Sequence, residues 1–483
     1  MTNLLVWPVL LSLVAALVVF IAPRNAERIA TVATSLTLVS VVLLLAEVMT
    51  EGPQFLILGG WRQGLGVALY ADRLSVLFLL MSAAVCLAST IFASRYFEQS
   101  RYRPQFWPLW LLLQTAIYAL LLAGDLFNIY VTLELLGLSA VTLSALGGSR
   151  TAVRAALNYL ILGLLGSLLF LAGIALIYGR YGSLDLQLLA GVVEAGPSLW
   201  VAMALMTAGL LLKSALLPLH FWLPTVHANA PAPVSAVLSA LVVKVAFYLV
   251  MRLWLGLFNP AVTPIAADLL GFLGALAILW GSWQAMITER LKLLAAYSSI
   301  AQLGYLFLFL SLLLVMPEGD ERQLLLGALV LFALSHGFAK SALFLAAGTI
   351  QQHAGHDRIA ELRGVASQLP LTFFSLGLAG VALIGLPPSG SFLAKWQLLS
   401  TSLLAGQWYW VAVISFGSLM ACVYMFRVLS IAFGAEGIAR KRINSRREEL
   451  PALALAVTAT LILGLGGVWV WRVLHVGAAG VVG

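Results

Sequence analysis

Fourteen apolar runs of about 20 residues recur along the chain, at approximately 3–21, 29–49, 72–94, 107–123, 126–146, 154–177, 198–224, 232–251, 264–287, 293–315, 323–350, 370–404, 408–432 and 451–471. A helix of that length crosses roughly 30 Å of hydrocarbon. Within a bilayer only helices and closed barrels satisfy their own backbone. Short alternating strands bounded by turns, the mark of a barrel, do not occur. The fold class is therefore an all-α polytopic membrane protein of about 14 transmembrane helices. The composition agrees, with 62% of the 483 residues hydrophobic and 10% charged.

The first run has no basic residue before it and no small-residue cleavage site, so it reads as a retained helix. Placing alternate loops on the cytoplasmic side gives that side 17 basic residues, from Arg24 and Arg28 through Arg290 and Lys292 to Arg446 and Arg447. The other side receives six: Arg62, Arg73, Arg180, Arg252, Arg322 and Arg472. This asymmetry sets both termini on the outer side of the inner membrane. The net charge of +8 is then mostly topology, and the basic run at 440–447 belongs at a membrane surface, with no nucleic-acid partner implied.

Two cysteines, Cys86 and Cys422, lie in separate apolar runs without metal-type spacing, which excludes disulfide frameworks and iron–sulfur clusters. No GxxxxGK[ST] is present, so the chain drives nothing by ATP on its own. No cofactor or metal is expected. The HxxH in "QQHAGHDR" lies in a loop without further ligands and reads as a polar turn.

Of the 27 basic residues, six are lysines, and four of these, Lys213, Lys244, Lys340 and Lys395, fall inside apolar runs. Arginine stays protonated, whereas a buried lysine can lose its proton. Each ammonium in a bilayer costs on the order of 3 kcal/mol, so four of them call for a use or a partner. Snorkelling to the interface is the competing explanation. It is weakest for Lys244, eleven residues after Pro233 and eight before Arg252. Glu134, surrounded by aliphatics in "GDLFNIYVTLELLGL", is the matching acid, for a functional or a plain structural ion pair. His336 precedes Lys340 by four residues, on one face of one helix, and the two together line a polar passage. His220, His227 and Asn229 close the seventh run, either as a proton entrance or as a polar helix end. Tyr297, Ser298 and Ser299 either bridge water or serve packing through small residues.

Pro218 follows Lys213 by five residues, and Pro387 and Pro388 precede Lys395. Proline interrupts a helix, and irregular backbone at membrane depth is tolerated where it is buried or lines a polar cavity. Two interrupted runs five spans apart, each with a lysine, point to an inverted-repeat transporter. Against this, the proline follows the lysine in one case and precedes it in the other, and kinking for packing alone is the alternative.

At these residues the chain resembles the antiporter-like subunits shared by Mrp-type multisubunit cation/proton antiporters, respiratory complex I and membrane-bound hydrogenases. The likeness runs over nearly the whole chain, through "GDLFNIYVTLE", "LKSALLPLHFWLPTVHANAPAPVSAVLSALVVK", "ERLKLLAAYSSIAQLGY", "HGFAKSALF" and "LPPSGSFLAKW". In "GDLFNIYV" and in length it looks most like the D subunit of Mrp antiporters. It lacks the long lateral helix of one complex I subunit and the extra region of the Mrp A subunit.

What the resemblance implies is fourteen helices with two inverted five-helix repeats and broken helices 7 and 12. Residues 1–106 would form helices 1–3, 107–258 the first repeat, 259–432 the second, and 433–483 the basic loop and helix 14. It further implies a mid-membrane row of protonatable groups and water: Glu134, Lys213, Lys244, His336, Lys340 and Lys395. A proton would enter toward Lys213 or Lys244 and leave near Lys395. The Glu134 carboxylate would hold Lys213 charged when close and release its proton when withdrawn.

The implied function is a proton-translocating subunit of a cation/proton antiporter. Its partners would be other integral membrane subunits, the lipid bilayer, protons and, in a sodium exchanger, Na+. The alternative is the same module in a redox-driven complex, an NADH:quinone oxidoreductase or a membrane-bound hydrogenase. A non-transporting scaffold predicts lost ionizable residues, and a stand-alone solute transporter predicts a further charged pocket; neither pattern is present.

Overall fold

The computed structural model describes residues 4–64, 66–434 and 446–475; most of the basic run at 440–447 lies outside them. Among the described residues, eleven helices are long and apolar enough to cross a membrane. The three other expected spans are also helical. The fourth, Arg103–Leu121, carries Pro104, Pro108 and Gln114 and is less apolar. The seventh and twelfth are each divided, into Pro197–Lys213 with Trp222–Asn229 and Pro370–Ile384 with Gly390–Leu404. Proline thus breaks the helices where its missing donor and ring clash require. The Leu217–Pro218 and Pro387–Pro388 peptides within these breaks are cis.

Span ends are set by local chemistry. Asp72 closes a capping box with Ser75 at the start of the third span (Arg73–Tyr96). Asp125 accepts from Asn128 N at 2.7 Å at the start of the fifth (Leu126–Ala145), and Ser149 accepts from Ala152 N at the start of the sixth (Arg150–Tyr181). Each side-chain oxygen satisfies an amide that the first helical turn leaves free.

One element lies outside the sequence expectation. Between spans two and three, β1 (Gln54–Ile57) and β2 (Ala68–Ala71) form an antiparallel hairpin, paired from Gln54↔Ala71 to Ile57↔Ala68. It is tied to the connection between the fourth and fifth spans, where Ala68 N donates to Asp125 Oδ2 at 3.1 Å and Tyr70 N to Leu122 O at 2.7 Å.

The interior of the bundle is formed by the eighth (Ala232–Leu255), tenth (Leu291–Val315) and eleventh (Asp320–Ala354) spans. Their most apolar windows are 100%, 89% and 100% buried, against 33% for the first and sixth. Glycines allow neighbouring spans to touch backbone to backbone. A Cβ at Gly209 would collide with Gly166 O, between spans six and seven, and one at Gly304 would collide with Gly274 O, between spans nine and ten. Close approach of this kind is what small residues supply in a membrane, where no hydrophobic effect drives helices together.

Asp125 joins a helix cap to the hairpin, so its substitutions form an ordered series. Asp125→Asn keeps the cap and loses one acceptor, whereas Asp125→Ala loses both. The expected thermal midpoints in detergent fall in the order parent, Asn, Ala, with about 1–2 kcal/mol between the ends; equal midpoints for all three would refute the assignment.

Candidate functional site: a row of buried amines

Lys213 is the last residue of the first half of span seven, so it sits at the negative end of that helix. The break is closed from its far side by Trp222 Nε1, which donates to Leu212 O at 3.0 Å. The Lys213 ammonium lies 3.6 Å from Glu134 Oε1, with side chains 10% and 22% exposed. This exceeds hydrogen-bond length, and Glu134 Oε1 has no hydrogen-bond partner within the protein. The pair is in contact without being locked. A cavity of about 20 Å³, space for roughly one water, adjoins it and is lined by Glu134, Gly137, Tyr159 and Lys213, together with Val242 and Ala246 of span eight. Those two residues flank Lys244 on either side.

Lys244 is fully buried. Span eight is not a regular helix here: a π-helical turn at Leu238–Val242 precedes the lysine. Lys244 Nζ donates to Ser239 O within that turn at 3.0 Å. A π-turn disturbs the regular carbonyl ladder, and the ammonium takes up one of its carbonyls. The Ser239 hydroxyl meets that of Ser299, on span ten, at 2.7 Å.

Span ten continues the line. Ser299 Oγ donates to Ala295 O at 2.9 Å, and the same carbonyl accepts from Lys340 Nζ at 2.5 Å, which also donates to Ser298 Oγ at 2.6 Å. One turn further, Gln302 Nε2 donates to Leu383 O at 2.9 Å. The Tyr424 hydroxyl faces Gln302 and Ser298 from span thirteen (Trp408–Ala432). Leu383 belongs to the last turn before the break in span twelve, and there Lys395 Nζ lies 3.4 Å from Leu383 O, 3.1 Å from Ile384 O and 3.1 Å from Ser418 Oγ. It also stands 4.1 Å above the Tyr305 ring. The carbonyls freed by the broken helix therefore hold the last ammonium of the row.

His336 is buried among Lys244, Lys340 and Lys395, with which it interacts electrostatically. Neither ring nitrogen has a protein partner.

Of the six residues expected from the sequence, Glu134 pairs with Lys213 beside a cavity that reaches the two residues flanking Lys244, and Lys244, Lys340 and Lys395 surround His336. Ser239, Ser299, Gln302 and Ser418 bond to these amines or lie beside them. Of these links only the "AYSS" hydroxyls stood out in the sequence. For the rest, the available signal was a serine shortly before Lys244 and a glutamine one turn beyond the serine pair, each in an otherwise apolar span.

One assignment is corrected. Lys292, expected from its sequence position in a cytoplasmic loop, is 2% exposed in the first turn of span ten and donates to Ala230 O at 2.5 Å. The reason is that span ten begins at Leu291, earlier than its apolar run, and packs against the end of span seven. His227 is fully buried there, facing Lys340 and Lys292, and its ring stacks on Phe344 at 4.7 Å. His220 is only half-buried and Asn229 turns back to Thr225 O. The two histidines of the HxxH do not converge: His353 pairs with Gln368 at 2.8 Å and His356 with Glu361 at 3.4 Å.

Comparison with known proteins agrees with this arrangement. Residues 123–421 match the family described as NADH:quinone oxidoreductase/Mrp antiporter, transmembrane. The chain belongs to this family. It is 35% identical to the N subunit of the NADH-quinone oxidoreductase of Desulforudis audaxviator, over 95% of this chain and 93% of that protein. It is 28% identical to the D subunit of the Na(+)/H(+) antiporter of Alkalihalophilus pseudofirmus, over 96% and 94%. Among solved structures, a chain of the Mrp complex from Dietzia sp. DQ12-45-1b superposes with a TM-score of 0.89 at 26% identity, over 99% of this chain and 97% of that one. The antiporter-like fold is thereby shared across the full length of the described bundle.

Burying an ammonium without a carboxylate costs stability in a membrane, so Lys244 is retained at the expense of the fold. Lys244→Met, of similar length, is expected to leave the thermal midpoint of the detergent-solubilised protein equal to or above the parent's. A midpoint several degrees lower would make the lysine a structural residue.

Proposed function

We propose that the chain is the proton-translocating membrane subunit of a multisubunit Na+(cation)/H+ antiporter. The observation that carries this reading is two hydrogen-bonded segments, one from Lys244 through Ser239, Ser299 and Ala295 to Lys340 and one from Gln302 through Leu383 to Lys395, with the Tyr424 hydroxyl facing Ser298 and Gln302 between them. Every amine in these segments can hold or release a proton, and every link within them is a hydroxyl, an amide or a carbonyl that orients water or an N–H. Glu134 and Lys213 act as the control at one end: with the carboxylate 3.6 Å away the ammonium is favoured, and separation of the two releases the proton toward Lys244. Lys395, beside the second helix break, is the exit group.

The family fold and the relatives' full-length coverage support membership in an assembly of integral membrane subunits. Residues 107–258 and 259–432 then act as the two repeats, in the inner membrane with both termini outside. Exchange of Na+ rests on the likeness to antiporter D subunits.

A second reading is favoured by a specific observation, the 35% identity to a component of NADH-quinone oxidoreductase. In that case the same row pumps protons under redox drive. Purification from the native membrane separates the two: co-purifying chains that are all small membrane proteins establish the antiporter, and partners with iron–sulfur cluster motifs establish the redox complex. In the antiporter case, Lys213→Ala and Lys395→Ala each abolish cation-dependent proton movement in everted vesicles, and Glu134→Ala reduces it by about tenfold or more, the loss of about 1.4 kcal/mol of barrier lowering. Full exchange by either lysine variant would overturn the proposal.

A further inference from the structure

The row leaves one buried charge pair unused. Lys244, Tyr248 and Arg252 are spaced four residues apart in span eight, on one face of the helix, and run from the middle of the span to its end. Arg252 forms an ion pair with Asp72 at the start of span three; the carboxylate side chain is 3% exposed and the guanidinium 18%. Asp72 is fixed in turn by Ser75 N at 2.8 Å. Tyr70 of the hairpin lies over the guanidinium at 5.3 Å. Tyr248 stands between this pair and Lys244, packed on Phe78 at 5.2 Å, with its hydroxyl 3.5 Å from Leu121 O.

On the outward side of Arg252 is a cavity of about 80 Å³, lined by Tyr70, Gly124, Gln187, Arg252 and Gly256 among others. That volume holds several waters, and the partial exposure of Arg252 shows that it borders the space. Solvent thus approaches along the axis of the very helix that carries the central lysine, and stops at a guanidinium two turns, about 12 Å, short of it.

We infer that Arg252, held by Asp72, is an electrostatic plug that keeps protons in the hairpin-side cavity from reaching Lys244. The inference rests on the reading of Lys244 as a proton carrier. An outlet at this position would need a group that takes up and gives away a proton, and arginine does not deprotonate in proteins. A fixed guanidinium instead repels a hydrated proton, as arginines do in pores that must exclude cations. The Asp72 carboxylate positions the guanidinium through Oδ2, while its Oδ1 accepts from Ser75 N in the helix cap. With this route shut, a proton on Lys244 leaves sideways along the row. A leak here would short-circuit any exchange or pump that the row performs.

The test uses the whole complex, purified through a tag on this chain and reconstituted in liposomes. Passive proton entry is read with a pH-sensitive dye under a potassium diffusion potential, without any gradient of exchangeable cation. The double variant Asp72→Asn/Arg252→Gln, which keeps a neutral hydrogen-bonded pair, is expected to leak about tenfold faster than the parent, equivalent to about 1.4 kcal/mol of barrier. Addition of Lys244→Ala is expected to return the leak to the parent level. Asp72→Asn alone keeps the guanidinium and is expected to leak no faster than the parent, whereas Arg252→Lys puts a group that can give up its proton in the same place and is expected to leak faster, which keeps the test open should the double variant fail to assemble.

The plug is overturned by an assembled double variant that does not leak. It is equally overturned by a leak that survives Lys244→Ala, or by Asp72→Asn alone leaking as fast as the double variant. Loss of the proposed exchange activity is measured separately, with a cation gradient, so a complex that seals but does not exchange counts against the function proposed above and leaves the plug standing.

Discussion

Five amines are buried in this bundle, and, among the described residues, only Lys213 has a carboxylate within ion-pair distance. The others rest on backbone carbonyls: Lys244 on Ser239, Lys340 on Ala295, Lys395 on Leu383 and Ile384, and Lys292 on Ala230. A carbonyl inside a regular helix already accepts from its own ladder. Three of the four amines meet a carbonyl where a helix is irregular or ends: the π-turn before Lys244, the break before Lys395 and the last turn of span seven at Ala230 for Lys292. Lys340 is the exception, since it shares Ala295 O, inside span ten, with the Ser299 hydroxyl. A carbonyl solvates an ammonium without adding a charge of its own, so the amine is held while remaining free to change its protonation state. A carboxylate at each position would have locked the proton in place.

The order of lysine and proline within the two broken spans follows from the same geometry. Lys213 precedes the break in span seven, and Lys395 follows the break in span twelve. Spans five apart in an alternating series run in opposite directions. A residue before the break in one and a residue after the break in the other consequently lie on the same side of their breaks. The reversed order, which counts against a repeat when read as a linear pattern, is what brings the two lysines to a common side and allows a level row. They are not repeat-related copies of one another; each half of the chain contributes its own kind of break to a shared plane.

Much of this was legible in the sequence, because a bilayer leaves few choices. Fourteen apolar runs, helix breaks at Pro218 and Pro387–388, and the six ionizable residues all stand out against an aliphatic background. The hairpin at Gln54–Ile57 and Ala68–Ala71 was not legible: it sits in a connection, where no apolar periodicity is imposed, and its pairing depends on Asp125 and Leu122, more than fifty residues away. Lys292 was misplaced because a run of apolar residues marks where lipid or protein interior begins and not where helix begins. The serine and glutamine links were indistinct because small polar residues serve packing as readily as they serve hydration, and only the mutual positions of spans eight, ten and twelve separate the two uses.

The shortage of carboxylates also limits how many of the amines carry charge together. Two ammonium groups about 8 Å apart repel by about 2 kcal/mol at an effective dielectric constant of 20, a cost that each added proton would compound. His336, set among Lys244, Lys340 and Lys395, is placed where this repulsion is felt from three directions. In the function proposed above, a charge arriving at one amine would change what its neighbours can hold. Glu134 would give the row its direction: among the described residues it is the one carboxylate within ion-pair distance of a buried lysine, and its approach to Lys213 would favour a proton there.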